Sequence, residues 1–339
     1  MSEAPLLVRD VSEEALLGRI FPLLPAAPTT LVGPGDDCAV VAAPDGRYVV
    51  STDVLVEDRH FRRRWSSGYD VGWRAAVQNL ADVASMGARP AALVVSLVMP
   101  GDLQVDWVTG LARGLAAACG PVGAAVVGGD LSGGDQVVVA VTVHGDLAGR
   151  APVLRSGARP GDVVALAGTL GRAAAGLDLL EAGRPDDVLT QSYLRPDPPL
   201  AAGPLAADAG ATAMMDVSDG LLRDAGRIAR ASGVRLDLSD VALDDDRAAL
   251  RPWAQGVAAE GSDDQVDAAG TDGWRVVVDG WVLAGGEDHG LLATFPPDVE
   301  LPAPFRPIGR VHATDASGPV VTVDGTRPGS VTGWDHFRA

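Results

Sequence analysis

Met215-Asp216-Val217-Ser218-Asp219-Gly220-Leu221-Leu222 is the stretch around which the rest of the chain can be read. Taken as an extended chain, it presents two carboxylates and a hydroxyl on one side. An apolar run follows at once, with Leu221, Leu222, Ala225, Ile228 and Ala229 at helical spacing. The acids therefore stand where extended chain meets a helix N-terminus. A helix start is served by a single capping side chain. Two aspartates and a serine exceed that need, and similar acidic stations recur along the chain.

Moving outward, Gly33-Pro34-Gly35-Asp36-Asp37-Cys38-Ala39-Val40-Val41 is a glycine turn that carries two acids into an apolar strand. A turn alone accounts for one aspartate. Tyr48 to Ser51 reads as a strand with Ser51, Thr52 and Asp53 at its end, followed by Glu57, Asp58 and His60. Arg62, Arg63 and Arg64 form a short basic run, read as a solvated face. Gly72 to Met86 has helical periodicity and keeps Asn79 and Asp82 three apart, beside the apolar stripe. Val122 to Val127 is an apolar strand that enters Gly128-Gly129-Asp130-Leu131-Ser132-Gly133-Gly134. Glycines beside an acid after a strand let backbone approach a phosphate while the aspartate holds a cation.

The character changes near Gly149, where Arg155-Ser156-Gly157-Ala158-Arg159-Pro160-Gly161-Asp162 is polar and turn-rich. The expected organisation is an N-terminal domain over 1–149 and a C-terminal domain over 150–339. Val163 to Ala167 reads as a strand and Arg172 to Leu180 as a helix; residues 185–204, rich in proline, read as irregular. Residues 257–280 are polar, glycine-rich and aperiodic, and read as an inserted mobile loop. Trp281 to Ala284 reads as a strand entering Gly285-Gly286-Glu287-Asp288-His289, and Leu291 to Phe295 as another.

Composition limits the chemistry. The 339 residues are 47% hydrophobic and 21% charged, which is globular. A net charge of −18 argues against a general nucleic-acid or anionic-membrane binder. All 27 basic residues are arginine, so P-loop lysine, Schiff-base and lysine general-base chemistry are excluded. Cys38 and Cys119 lack metal-ligand spacing, and the expected setting is the reducing cytoplasm. No signal-peptide pattern opens the chain, and no transmembrane helix is expected.

The acidic stations Asp36/Asp37, Asp53, Asp130 and Asp216/Asp219, with Asp82 as a candidate to join them, call for cations between them. Hard oxygen ligands in number select Mg²⁺ or Ca²⁺ over zinc. Several Mg²⁺ ions bridging nucleotide phosphates would do the charge neutralisation that no lysine here can do. Arg155 offers a fork of donors to the same phosphates. Metal-dependent nucleotide chemistry is the leading reading.

GPGDDCAVV, STDVLVEDRHF, AVQNLADVASMGARP, GGDLSGG, RSGARPGD, DVSDGLLRDAG and GGEDHGLL, in this order, resemble the thiamine-monophosphate kinases, within the aminoimidazole ribonucleotide synthetase-like superfamily. The resemblance runs from about residue 10 to Phe337 and leaves out 257–280. It implies an α/β (α+β) chain of two domains: an N-terminal mixed-sheet domain for ATP binding and dimerisation, and a C-terminal α/β domain. It further implies a homodimer and direct in-line phosphoryl transfer from ATP to thiamine monophosphate, the last step of thiamine diphosphate biosynthesis, with no covalent phosphoenzyme. By residue, Asp37, Ser51, Thr52, Asp53, Asp82, Asp130, Asp216 and Asp219 match the family's magnesium positions. Gly129, Asp130, Arg155 and Ser218 match ATP contacts. His60, Glu287 and Trp334 match thiamine-phosphate contacts. GGEDHG departs from the more usual aromatic after GGED, with His289 in that place. Selenophosphate synthetases of the same superfamily resemble proteins that pair an N-terminal cysteine or selenocysteine with lysine; here Cys38 is embedded in GDDCA and lysine is absent. A non-enzymatic Ca²⁺-binding protein is disfavoured because no EF-hand loop or repeat array appears.

Overall fold

The computed structural model describes residues 5–33, 39–261, 273–314, 318–329 and 333. The chain divides into two compact units, Met1–Ala151 and Pro152–Ala339, two residues beyond the boundary expected from the sequence.

In the first unit, α1 (Glu13–Ile20) starts at Ser12, whose hydroxyl accepts from the Ala15 N–H. A short pair, β1 (Thr30–Val32) and β2 (Val40–Val41), precedes β3 (Val49–Val56). Then come α2 (Gly68–Ser85), β4 (Arg89–Met99), α3 (Val105–Cys119), β5 (Ala125–Gly133) and β6 (Val138–Asp146). The sheet order is β3-β6-β4-β5, with β4 and β5 parallel and the other pairs antiparallel. A reciprocal capping box between Ser67 and Asp70 opens α2. Helices α2 and α3 pack backbone to backbone. A Cβ on Gly72 would lie 2.1 Å from the Leu111 carbonyl oxygen, and one on Gly114 would lie 2.1 Å from that of Tyr69. Glycine at those positions is what lets the helices close.

Two expectations change here. Ser51, Thr52 and Asp53 lie mid-strand, because β3 stays paired with β6 from Val49 to Val56. The GGD stretch belongs to β5 itself, paired with β4 as far as Gly133, because glycines tolerate the close strand approach.

The second unit contains β7 (Val163–Ala167), α4 (Arg172–Glu181), α5 (Asp187–Leu194), α6 (Ala202–Asp208), β8 (Ala213–Val217), α7 (Leu221–Ser232) and β9 (Val234–Leu238). It continues with α8 (Asp244–Gly261), α9 (Gly273–Asp279), β10 (Gly290–Phe295), β11 (Arg306–Ala313) and β12 (Val320–Val323). The six strands run in the order β12-β9-β11-β7-β10-β8. All neighbours are antiparallel except β12 and β9. Residues Val163–Ala167 and Gly290–Phe295 are almost wholly buried, as continuous apolar runs in a covered sheet should be.

The irregular region expected at 185–204 holds α5 and the start of α6; Asp186 caps α5 through the N–H groups of Val188 and Leu189. The loop expected at 257–280 is also corrected. Its first residues finish α8 and its last form α9, while 262–272 lie outside the described residues. The strand expected at 281–284 is a π-helical turn, Gly280–Ala284. Val278, Trp281 and Val282 are buried in the core, and the Trp281 indole N–H donates to Asp178 Oδ2 at 2.7 Å. Core burial overrides the strand propensity of the valine run.

Candidate functional site

In the first unit the predicted side chains lie on β3, α2 and β5, the two strands being opposite edges of the sheet. Side chains alternate along a strand. Ser51 therefore faces α2 while Thr52 faces the other way. The Ser51 hydroxyl donates to Asp82 Oδ2 at 2.6 Å, and Asp53 stands on the same face as Ser51. The Thr52 hydroxyl instead donates to the Val141 carbonyl at 2.9 Å. The predicted trio thus splits, with Ser51 and Asp82 brought into contact and the Thr52 hydroxyl directed elsewhere. Asn79, one turn before Asp82, is wholly buried; its amide donates to the Ala75 carbonyl and its Oδ1 has no hydrogen-bond partner.

Asp130 stands exposed on β5, in register with Ser96 of β4, and accepts from the Ser132 hydroxyl at 3.0 Å. A Cβ on Gly129 would lie 2.0 Å from the Val95 carbonyl oxygen, so only glycine fits. His60 follows β3 in a turn. Its Nδ1 accepts the Val56 N–H at 3.0 Å, which leaves the proton of a neutral ring on Nε2. Beside it, Glu57 is buried, pairs with Arg63 and accepts the Val137 N–H at 3.0 Å. The basic run is more organised than a solvated face. The Arg62 and Arg64 guanidinium carbons lie 4.7 and 4.4 Å from the Trp65 ring centre.

In the second unit, Asp216 sits at the end of β8, 3% exposed and opposite Leu291 of β10. The extended-chain reading of the motif fails. The strand ends at Val217, Gly220 turns the chain at φ 108°, and Asp219 stands three residues from Asp216 rather than an even number. The acids nevertheless converge through the start of α7. The Asp219 N–H donates to Asp224 Oδ2 at 2.9 Å, and Arg227 bridges the carboxylates of Asp219 and Asp224. Burial, and then the charge of Asp216, pushes Asp224 up to about 7 against the pull of Arg227. Arg155 is exposed and carries the carbonyl that accepts the Ser232 hydroxyl at 2.9 Å.

The Gly285–His289 loop is stitched onto this motif. The Glu287 N–H donates to the Ser218 carbonyl at 2.9 Å and the His289 N–H to that of Val217 at 3.0 Å. Asp288 turns away and caps α4, accepting the Gly171 and Ala173 N–H groups at 2.6 and 3.2 Å. Its burial outweighs those bonds and pushes its pKa up to about 7. His289 is 4% exposed; Nδ1 lies 3.1 Å from Asp216 Oδ2 and Nε2 lies 3.7 Å from Glu287 Oε2. Burial disfavours charge on this ring, but the bond to Asp216 and the Glu287 carboxylate outweigh it and raise its pKa to about 10. The predicted positions Asp37 and Trp334 lie outside the described residues. Gly333 lies against the motif, where a Cβ would come 2.1 Å from the Asp219 carbonyl oxygen.

Sequence reading missed Asp224 and Arg227 and gave His289 no partner. The i, i+3 spacing of Asp224 and Arg227 on an amphipathic helix is the one local signal for that pair.

Among the described residues, no three His, Cys, Asp or Glu side chains gather into a metal-holding group. Mg²⁺ is commonly held by one or two carboxylates with substrate phosphates and water rather than by an all-protein cage. The donors present around Asp82 and Asp216 are mainly oxygen, which suits a hard cation.

Family models for AIR synthase related protein match residues 35–147 (N-terminal domain) and 159–274 (C-terminal domain). Thiamine-monophosphate kinase of Mycobacterium tuberculosis is 47% identical over 338 residues, covering 99% of this chain and 94% of that protein. The chain belongs to the thiamine-monophosphate kinase family. The crystal structure of thiamine monophosphate kinase from Aquifex aeolicus matches at TM-score 0.70 and 31% identity, covering 84% of this chain and 90% of that one. AaThiL complexed with AMPPCP and TMP matches at TM-score 0.71 and 32% identity, covering 89% and 91%. The mixed two-domain α/β architecture expected of a thiamine-monophosphate kinase is the one observed.

Proposed function

We propose that the chain transfers the γ-phosphoryl group of ATP to the phosphate of thiamine monophosphate, giving ADP and thiamine diphosphate. The observation that carries this reading is the match to the mycobacterial thiamine-monophosphate kinase over nearly the whole length of both chains. The acceptor phosphate oxygen attacks the γ-phosphorus in line as the bond to the β-phosphate oxygen breaks. The attacking oxygen is already anionic, so the protein's task is positioning and charge neutralisation. No covalent phosphoenzyme is needed.

Gly129 lets the β5 backbone approach a phosphate, and Arg155 and Ser218 add donors. His60 offers its Nε2–H to the acceptor, Glu287 binds the thiamine side, and Trp334 supplies an aromatic face for the ring. Asp37, Ser51, Asp53, Asp82, Asp130, Asp216 and Asp219 would hold several Mg²⁺ ions, with Thr52 contributing through its main-chain oxygen, since its hydroxyl is engaged by the Val141 carbonyl. Bound Mg²⁺ supplies the positive charge that phosphate oxygens require in transfer.

The proposed active form is a homodimer built through the first unit. Support comes from an apolar surface on that unit, including Leu31, Val32, Val40, Val50 and Val54, all at least 40% exposed. The proposed setting is the cytoplasm, where ATP is available; no helix among the described residues is long and apolar enough to cross a membrane.

The test is incubation of the purified protein with Mg²⁺, ATP and either thiamine monophosphate or free thiamine, followed by chromatography. Thiamine diphosphate formed from the monophosphate alone is the expected result. No product, with ATP still bound, would overturn the acceptor assignment.

A further inference from the structure

The His289 side chain lies between the two carboxylates that the proposed function gives to different ligands. Asp216 belongs to the phosphate and metal side of the reaction; Glu287 belongs to the acceptor. One imidazole reaches both, through Nδ1 at 3.1 Å and Nε2 at 3.7 Å. The Nε2 atom is buried and makes no hydrogen bond within normal distance. Glu287 is the more exposed of the two carboxylates, its side chain 34% exposed against 5% for Asp216. A side-chain shift of less than one ångström would bring Glu287 within hydrogen-bond distance of Nε2 (N–H···O bonds span about 2.7–3.2 Å).

The backbone is built to hold the ring there. Glu287 and His289 both lie in the left-handed region, at φ 72° and 54°. Such conformations are strained in non-glycine residues and persist where the surroundings enforce them. Here the enforcing contacts are the two N–H bonds to the Ser218 and Val217 carbonyls and the Asp288 cap on α4. A ring used only for packing would need none of its nitrogens aimed at carboxylates.

We propose that His289 is a positioning residue that sets Asp216 through Nδ1 and Glu287 through Nε2, so that a single side chain registers the acceptor-binding carboxylate against the phosphate-side carboxylate. This rests on the reading of Asp216 and Glu287 given under the proposed function. The two arms can be separated, because asparagine places a donor near the Nδ1 position and glutamine near Nε2. Phenylalanine keeps a ring and loses both donors.

The experiment compares H289N, H289Q and H289F with the wild type in the intact chain. It reads kcat, KM for thiamine monophosphate, the Mg²⁺ concentration for half-maximal rate, and thermal midpoint. Calorimetric binding of thiamine monophosphate without ATP gives a readout independent of turnover. H289F is expected to weaken thiamine monophosphate binding and to lower kcat, each about tenfold, the scale of lost outer-sphere partners. H289N is expected to keep the Mg²⁺ midpoint within about twofold of wild type while KM for thiamine monophosphate rises, and H289Q to do the reverse. Wild-type values in H289F, or equal losses in all three variants that follow their thermal midpoints, would overturn the inference and leave the ring a packing element. If the wild type itself fails to phosphorylate thiamine monophosphate, the functional reading falls and takes the inference with it. If the wild type is active and the split is missing, only the inference falls.

Discussion

At the scale of single residues, the carboxylates of the second unit carry the clearest expectations. Asp216→Asn and Asp219→Asn remove negative charge without changing side-chain size. Each is expected to lower kcat by about 100-fold or more, the scale on which a preorganised electrostatic group acts. Circular dichroism should stay that of the folded chain, and full activity in the double variant would remove both residues from the phosphate-handling machinery. Cys119 gives an expectation of the opposite kind. It is 1% exposed, and burial pushes its thiol up to about 12. In a Cys38→Ser chain, a thiol-specific reagent should label almost nothing until denaturant is added, because the thiolate is the reactive form. Asp216, Asp219 and Glu287 could be nominated from sequence because they lie in short contiguous motifs. Asp224, Arg227 and His289 could not be assigned partners that way. Their contacts depend on a helical turn after Gly220 and on a loop that returns some 70 residues later, as in the 73-residue separation of His289 from Asp216.

At the scale of elements, the hand-over from loop to helix at Asp288 predicts a pH dependence. Its pKa in the folded chain is raised to about 7 from 3.8, so the folded state binds the proton more tightly than the unfolded state. The stability from this group is therefore fully present below the unfolded value and is lost as pH rises through about 7. Asp288→Asn should flatten that fall in a denaturation series, at lower absolute stability, because its NH₂ faces one of the two backbone N–H groups of α4. The crossing of α2 and α3 predicts a steric effect. Gly114→Ala would set a methyl 2.1 Å from the Tyr69 carbonyl oxygen and 2.8 Å from the Trp73 nitrogen. A cost of at least about 1–3 kcal/mol is expected, as for overpacked cores, read as a lower denaturation midpoint. Elements with continuous apolar runs, such as β7 and β10, were legible because a covered strand has few alternatives. The helix at 273–279 and the π-helical turn after it were not legible. Their glycines and valines favour other states, and burial of Val278 and Trp281 against the core decides between them.

At the scale of the whole molecule, a net charge of −18 sets the long-range field. No mobility shift of duplex DNA is expected at physiological salt, because there is no excess of cations to release counterions. Self-association is the other whole-molecule expectation. Val50 is 59% exposed and Val54 45% exposed on the same face of β3. The wild type is expected to sediment as the proposed dimer and a Val50→Glu/Val54→Glu chain as a monomer. A dimer that survives the double substitution would move the interface elsewhere. The change of composition near Gly149 was the sequence signal for a second domain, because turn-rich polar chain punctuates cores wherever they end.

The close crossing of α2 and α3 also bears on how this sequence can drift. At Gly72 and Gly114 the obstructing atom is a main-chain oxygen, which every amino acid carries. Replacing Leu111 or Tyr69 with something smaller frees no room. A genetic selection starting from Gly72→Val or Gly114→Val should therefore recover reversion to glycine and no suppressor at the facing residue, which makes these two sites fixed points in the history of the chain.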